Sequence, residues 1–297
     1  MGGEPRAMVP AARMCARLVS IALLALAPIP ASAMGAPRAN VAALQAALRA
    51  RGLYTGTIDG LRGPATARAV RRLQRRAGIA VDGIPGRHTR RALGRLGRHA
   101  FGSRPLRPGV VGWDVAGLQF KLETHGFPCG GVDGGYGAHV TAAVRRLQAF
   151  HGLAVDGVAG PATLRALRAP PPRSPLALRR PVAAPVGDRY GPRGAGFHAG
   201  LDFLASRGTP VVAAGAGRVR RAGWLDGYGR VVVVGHAAGT ATLYAHLSSI
   251  AASPGEAVSA GALLGRVGAS GRATGPHLHF EVIVRGANVD PGPALGI

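Results

Sequence analysis

The stretch GPHLHFEV, Gly275 to Val282, places two histidines one residue apart behind a Gly-Pro, in a chain that has ten histidines in all. Residues two apart on extended backbone point the same way, so His277 and His279 share a face if this stretch is a strand. Three readings compete for such a pair: metal ligands, catalytic groups, or two imidazoles in an ordinary β-strand. Residue types leave the three open, and partners elsewhere in the chain decide among them.

From about Val186 onward the chain runs as short β-type segments between glycine turns: TPVVAA, GRVRRAGW, GRVVVVGH, TATLYAHL, ALLGRVG and HLHFEVIV. Segments so short and so evenly punctuated predict an antiparallel sheet or sandwich with little helix. Within this region His198 and Asp202 stand four apart in FHAGLDF, His246 stands in LYAHLSS and His236 in VVGHAAG. His198 therefore meets Asp202, as His277 meets His279, if each segment is a strand lining one groove. Two histidines and a carboxylate give Zn²⁺ three protein ligands and leave the fourth position for water, which is what catalytic zinc needs. A closed structural zinc site takes four ligands, often cysteines, and only Cys15 and Cys129 are present.

The blocks HAGLDF, TPVVAAGAGRV, YGRVVVVGHAAGTATLYAHLSS and PGEAVSAGALLGRVGASGRATGPHLHFEV together resemble the M23-type zinc metallopeptidases, the lysostaphin and LytM-like endopeptidases of peptidoglycan. The resemblance runs from about Gly187 to Pro291 without a large insertion. It implies an all-β, duplicated hybrid motif-like domain with zinc as cofactor. It also implies that His198, Asp202 and His279 are the metal ligands, and that His246 and His277 are the two catalytic histidines outside the ligand set. One of these takes a proton as general base and the other holds charge on the tetrahedral intermediate, with the assignment between them open. Glu281 follows in HFE as a group that orients an imidazole. His236 is left structural.

The amino-terminal half is a duplication. The segment beginning at Asn40 and the one beginning at Asp114 align without a gap, with roughly half their positions identical, as two copies of one folding unit. Val41, Leu44, Gln45 and Leu48, then Ala69, Val70, Leu73 and Gln74, fall at helical spacing, and the helices stop at Gly52 and Gly78. The dipeptides Asp59-Gly60 and Asp82-Gly83 predict turns in which the aspartate bonds its own backbone. These turns and the AVRRLQ helix resemble the small three-helix peptidoglycan-binding family, which implies that both copies, residues 38–97 and 110–168, anchor the protein to cell wall. Neither copy gathers acid, base and nucleophile. His88, His99, His125, His139 and His151 are expected to be solvated surface residues.

The expected organisation is thus multidomain: two small all-α modules, a proline-rich spacer at 169–185 that is extended and semi-rigid, and an all-β domain at 186–297. Residues 1–33 are expected to be a signal peptide, with Arg6, Arg13 and Arg17 ahead of the apolar LVSIALLALAPIP and a small-residue site at Ala31 to Ala33. The mature chain is then secreted into the envelope without an integral span, and Cys129 is its only thiol, a small loop residue. A formal charge of +24 invites nucleic acid, but it is spread along the chain and Lys121 is the only lysine. For an exported chain the polyanion is an envelope polymer, and no nucleic-acid motif is present. The expected function is an exported zinc endopeptidase that cuts peptide cross-links of peptidoglycan. The alternative is a wall-binding scaffold or an activator of another hydrolase, which has no need of the full histidine set.

Overall fold

The computed structural model describes Gly2 and residues 37–297. The expected signal segment, 1–33, lies outside the described residues. The first repeat folds as α1 (Ala39–Ala50), α2 (Pro64–Arg76) and α3 (Arg87–Ala92), followed by a 3₁₀ turn at Gly94–Gly97. In the second, α4 (Trp113–Thr124), α5 (Ala138–Phe150) and α6 (Pro161–Ala166) follow the same order. Proline opens α2 and α6, where its missing N–H has no intrahelical partner to lose. Gly52 and its counterpart Gly126 follow α1 and α4 at φ of 66° and 84°, a left-handed conformation that ends a helix without a Cβ clash.

One polar device recurs four times. Gln45 donates through Nε2 to Asp59 Oδ1 at 2.7 Å and accepts from the Gly60 N–H at 2.9 Å, so the helix grips its Asp-Gly turn. Gln74 grips Asp82-Gly83, Gln119 grips Asp133-Gly134 and Gln148 grips Asp156-Gly157 in the same way. Each aspartate also takes the backbone N–H two residues on, the self-bonding turn expected from sequence. The four glutamines are buried, and the clasp satisfies them.

The repeats are not beads on a string. Trp113, Ala116, Phe120 and Val132 of the second join the core of the first, against the alanines of α1. The second repeat's own core, around Leu118, Phe127 and Leu147, takes in Ala287 of the carboxy-terminal domain. Across that same seam the Asn288 N–H donates to the Gly126 carbonyl at 2.9 Å, and Arg285 lies 4.2 Å above the Phe150 ring. A Cβ on Gly126 would overlap the Asn288 carbonyl, so the approach depends on glycine.

The carboxy-terminal domain begins with a hairpin, β1 (Gly191–Arg193) and β2 (Gly196–His198), and continues with β3 (Leu201–Phe203), β4 (Pro210–Val212), β5 (Gly217–Leu225), β6 (Gly229–Gly235) and β7 (Thr240–Ile250). After these come β8 (Ala257–Val258), β9 (Leu263–Val267), β10 (Leu278–Val284), β11 (Ala287–Val289) and the short helix α7 (Pro291–Leu295). The main sheet runs β11-β10-β7-β6-β5-β8, with β3 on β10 and with β9 pairing both β7 and β4. Every pairing is antiparallel, and the six segments expected as strands are all strands. Phe203, Tyr244, Leu247 and Phe280 centre the core. His236 is structural here: it bonds the Ala216 carbonyl and, at 2.8 Å, the Thr242 hydroxyl.

Two expectations need correction. Residues 169–185 are not a free spacer: the Leu178 N–H donates to the Ala294 carbonyl at 2.7 Å, the Val212 N–H to the Pro181 carbonyl at 2.9 Å, and Leu178 and Val182 are buried in the sheet core. The apolar residues between the prolines gain more by burial than extended chain gains in water. Nor is His125 solvated. It is buried beneath the end of α6, with Nδ1 2.7 Å from the Lys121 carbonyl and Nε2 3.0 Å from that of Ala169. His88, His99, His139 and His151 are exposed. Cys129 sits in a loop, buried beside Glu123, and burial followed by the Glu123 charge pushes its thiol pKa well above the usual range.

Candidate metal centre

Strand register brings the site together. His279 on β10 lies directly opposite Asp202 on β3, and on its other side opposite Ala245 on β7, the residue before His246. His198 ends β2, four residues before Asp202. As a result His279 Nδ1 is 2.7 Å from Asp202 Oδ1 and 3.1 Å from His198 Nε2, which is itself 3.1 Å from the same carboxylate oxygen. These three residues form a group whose ligand atoms all lie within 4.8 Å of one another.

The outer ring nitrogens are tied down. His198 Nδ1 donates to the Arg189 carbonyl at 2.9 Å, because a carbonyl only accepts, and this turns the Nε2 lone pair into the site. His279 Nε2 faces Glu281 Oε1 at 3.0 Å, leaving Nδ1 for the centre. Glu281 is held in turn by the Tyr228 hydroxyl at 2.8 Å and the Asn288 amide at 2.5 Å. A metal-ligating imidazole characteristically has its far nitrogen fixed by a carboxylate or carbonyl in this manner.

The donor set fits a cation. Two imidazole nitrogens and a carboxylate oxygen crowd together with their lone pairs inward, an arrangement that needs positive charge between them. Protons supply it when no ion does. Burial opposes charge on both Asp202 and His279, yet hydrogen bonds win: Asp202, bonded to His198 and His279, is held well below the usual carboxylate range, and His279, bonded to Asp202 and Glu281, is raised to about 9. A zinc ion would take that proton's place.

His246 and His277 complete the wall. Their ring centroids are 4.7 Å apart, and His246 is 5.9 Å from His279. His277 Nδ1 donates to the Gly275 carbonyl at 2.9 Å, and its Nε2 looks toward Asp202 Oδ1 at 3.9 Å. His246 Nδ1 donates to the Ser270 carbonyl at 2.8 Å. Burial leads the causes that lower its pKa, helped by the neighbouring His277 and His279, against the Ser270 bond. His246 has a φ of 60°, unusual for a residue with a side chain, and its N–H donates to the Tyr228 carbonyl instead of a ladder partner. The β6–β7 register shifts across it, between the Tyr244 and Leu247 pairings. This bulge re-aims a side chain that regular alternation would send elsewhere.

All six residues singled out by the sequence, His198, Asp202, His246, His277, His279 and Glu281, line one open groove of about 790 Å³. Sequence reasoning missed Tyr228, Asn288 and two arginines of the groove, Arg193 and Arg272. Arg193 pairs with Asp188 at 3.0 Å and reaches within 3.9 Å of Asp202. An aromatic between glycines in the turn DGYGR was the signal available for Tyr228.

Residues 196–291 match the model of peptidase family M23, and residues 37–93 and 112–167 match a model described as "Putative peptidoglycan binding domain". Among curated proteins, the DD-carboxypeptidase/endopeptidase Mpg of Neisseria meningitidis is 42% identical over 119 residues, 39% of this chain and 27% of Mpg. The murein hydrolase activator EnvC of Escherichia coli is 43% identical over 118 residues, 39% of this chain and 28% of EnvC. The chain thus covers 27% and 28% of the length of these two relatives. The catalytic domain of the antimicrobial peptidase lysostaphin from Staphylococcus simulans is 35% identical, over 38% of this chain and 93% of that one, with a TM-score of 0.37. The sheet domain belongs to peptidase family M23, and the two helical repeats ahead of it are peptidoglycan-binding domains.

Proposed function

We propose that the protein is an exported, zinc-dependent endopeptidase that hydrolyses peptide cross-links of peptidoglycan while its helical domains hold it on the wall. One observation carries this reading: His198, Asp202 and His279 converge on a single point with His246 and His277 beside them. The first three would hold the zinc ion. When bound there, zinc supplies Lewis-acid polarisation of a carbonyl and lowers the pKa of water to about 7.

The chain's own residues do the remaining work. His246 and His277 each keep one nitrogen bonded to a carbonyl and so present Nε2 to the groove. One accepts a proton there as general base, and the other stabilises the charge that develops on the attacked peptide. Glu281, steadied by Tyr228 and Asn288, keeps the His279 ring from rotating. The open groove admits a polymer strand from the side. Anchoring raises the local substrate concentration without a tight active site. Export to the envelope belongs to the same proposal; among the described residues no helix is long and apolar enough to cross a membrane.

The test is peptidoglycan solubilisation by the zinc-loaded protein, with and without chelator. Chelator is expected to abolish release. His279→Ala should lose both zinc and activity, whereas His246→Ala should keep zinc and lose at least about 100-fold in rate, the loss expected on removing a general base. An activator, the role in EnvC's name, needs neither residue. Intact walls after treatment with the loaded wild-type protein would sink the enzyme reading, and zinc lost from His246→Ala would sink the ligand assignment.

A further inference from the structure

The first repeat carries a cavity of about 640 Å³ between α1, the start of α2 and the segment around α3. Its floor is apolar, with Val41 and Leu44 of α1, and Ile84 lines it while 63% exposed. Arg62, Arg90 and Arg98 stand around it, and no carboxylate lines it. All three arginines are exposed, and among the described residues none of their guanidiniums has an ion-pair partner.

In the second repeat the corresponding slot has a different lining. The gapless alignment puts Tyr136 where the first has Arg62, Ala159 where it has Pro85, and Leu164 where it has Arg90. Tyr136 is buried and donates its hydroxyl to the Gly157 carbonyl at 2.7 Å. Leu106, from the segment between the repeats, forms a two-way backbone bridge with Ala159 and is wholly buried in that core. Pro85 has no N–H with which to form such a bridge. An open hollow of about 680 Å³ lies beside Tyr136, no smaller than the first repeat's cavity, but with Arg145 its one charged residue.

We propose that the two binding domains have divided their labour: the first repeat holds the wall ligand in its arginine-rimmed groove, and the second, with Tyr136 and Leu164 in place of Arg62 and Arg90, serves as the bridge to the peptidase domain. This rests on the reading that the repeats bind peptidoglycan. The groove's chemistry selects a short peptide bearing free carboxylates and small aliphatic side chains, as in the stems of that polymer. Guanidiniums pair carboxylates with charge-assisted, bidentate hydrogen bonds, and the apolar floor takes methyl groups. A neutral glycan would leave the arginines unpaired, and a purely anionic polymer would leave Ile84 in water.

Co-sedimentation of the full chain with purified peptidoglycan sacculi tests this, together with titration by a soluble stem peptide with free or amidated carboxylates. Arg62→Glu with Arg98→Glu is expected to weaken sacculus binding by about tenfold or more, as for the loss of two charge-assisted contacts. Arg145→Glu in the second repeat carries the same kind of charge reversal and should leave binding within about twofold, where a generic charge effect would weaken it too. Amidation of the stem should mimic the first result. Equal losses from both repeats, loss from Arg145→Glu alone, or a free-carboxylate peptide that binds no better than an amidated one would overturn the proposal while leaving wall binding intact. A wild-type chain that stays in the supernatant would overturn wall binding and the proposal together.

Discussion

The two repeats grip their Asp-Gly turns through the same glutamines at the same positions, yet they occupy different stations in the molecule. The first touches the peptidase domain sparingly, through the Ile58 N–H on the Gly194 carbonyl at 2.8 Å. The second is enclosed on two sides: α4 gives Phe120 to the core of the first repeat, and the residues around Gly126 and Phe150 meet the strand ends at Arg285 to Asn288. Its Val132 N–H also donates to the Ala195 carbonyl at 3.0 Å, in the hairpin whose second strand ends at His198. Duplication of one unit has therefore produced a peripheral copy with an arginine-rimmed cavity and a central copy that joins the parts. The local fold is set by the shared clasp, and the difference in station comes from a few residues on the outer faces.

Phe120 is the residue that most sharply separates the copies, since its counterpart in the first repeat is Ala46. It is buried and presses on Gly60, where a Cβ would come 2.8 Å from its ring. Phe120→Ala should cost about 3–5 kcal/mol, the usual range for emptying an aromatic site in a core. Because the lost contacts lie between the copies, a chemical denaturation curve should split, with the first repeat unfolding at lower denaturant than the rest. A single transition, shifted as a whole, would show that the copies do not depend on this seam.

The sheet and part of its histidine set were legible because strand geometry is local: alternation puts His277, His279 and Glu281 on one face. His198 and Asp202 do meet, but not by strand period as expected, since they stand on β2 and β3 of different sheets with a break at Ala199-Gly200 between them. The helices were legible from glycine stops and apolar spacing. What stayed hidden depends on distant chain. No local pattern says that Tyr228 and Asn288 hold Glu281, or that His246 breaks strand alternation to face the groove. The glutamines were visible only as members of helical faces, and their bonds to the Asp-Gly turns of a later segment were not. Residues 169–185 misled because proline content outweighed Leu178 and Val182, whose burial depends on a sheet face formed by residues far along the chain.

The clasp itself offers the next largest effect. Gln45→Ala and Gln119→Ala each strand a buried Gly N–H and an aspartate that has lost its amide donor, which should cost about 1–3 kcal/mol apiece. Equal stability losses with unequal effects on catalysis would mark the difference in station. Gln119 fixes the turn after Val132, the residue bonded to the His198 hairpin, so Gln119→Ala should also slow cleavage of a soluble cross-linked peptide severalfold. Gln45→Ala should leave that rate unchanged. Equal rates for the two variants would mean that the hairpin does not need the second repeat to hold His198.

The smallest difference is expected at Arg51 and its counterpart His125, and only in acid. Arg51 in the first repeat caps the Leu93 carbonyl through Nη2 at 3.1 Å. His125 instead bonds the carbonyl of Ala169, two residues beyond the counterpart of Leu93, and is buried. Burial, then the nearby Lys121 charge, lowers its pKa below the ordinary value of about 6.5, outweighing the two carbonyl oxygens that favour the proton. A histidine whose folded pKa is depressed binds protons more readily when unfolded. Its contribution to stability is therefore complete above about pH 6.5 and is lost as the pH falls toward the folded value. The second repeat should accordingly lose stability as the pH falls below about 6.5, read by thermal melting followed in the Phe127 and Phe150 region, and His125→Gln should remove most of that dependence. The same slope in wild type and His125→Gln would assign the acid sensitivity to another group, and the two copies would then differ at this position in sequence but not in response to pH.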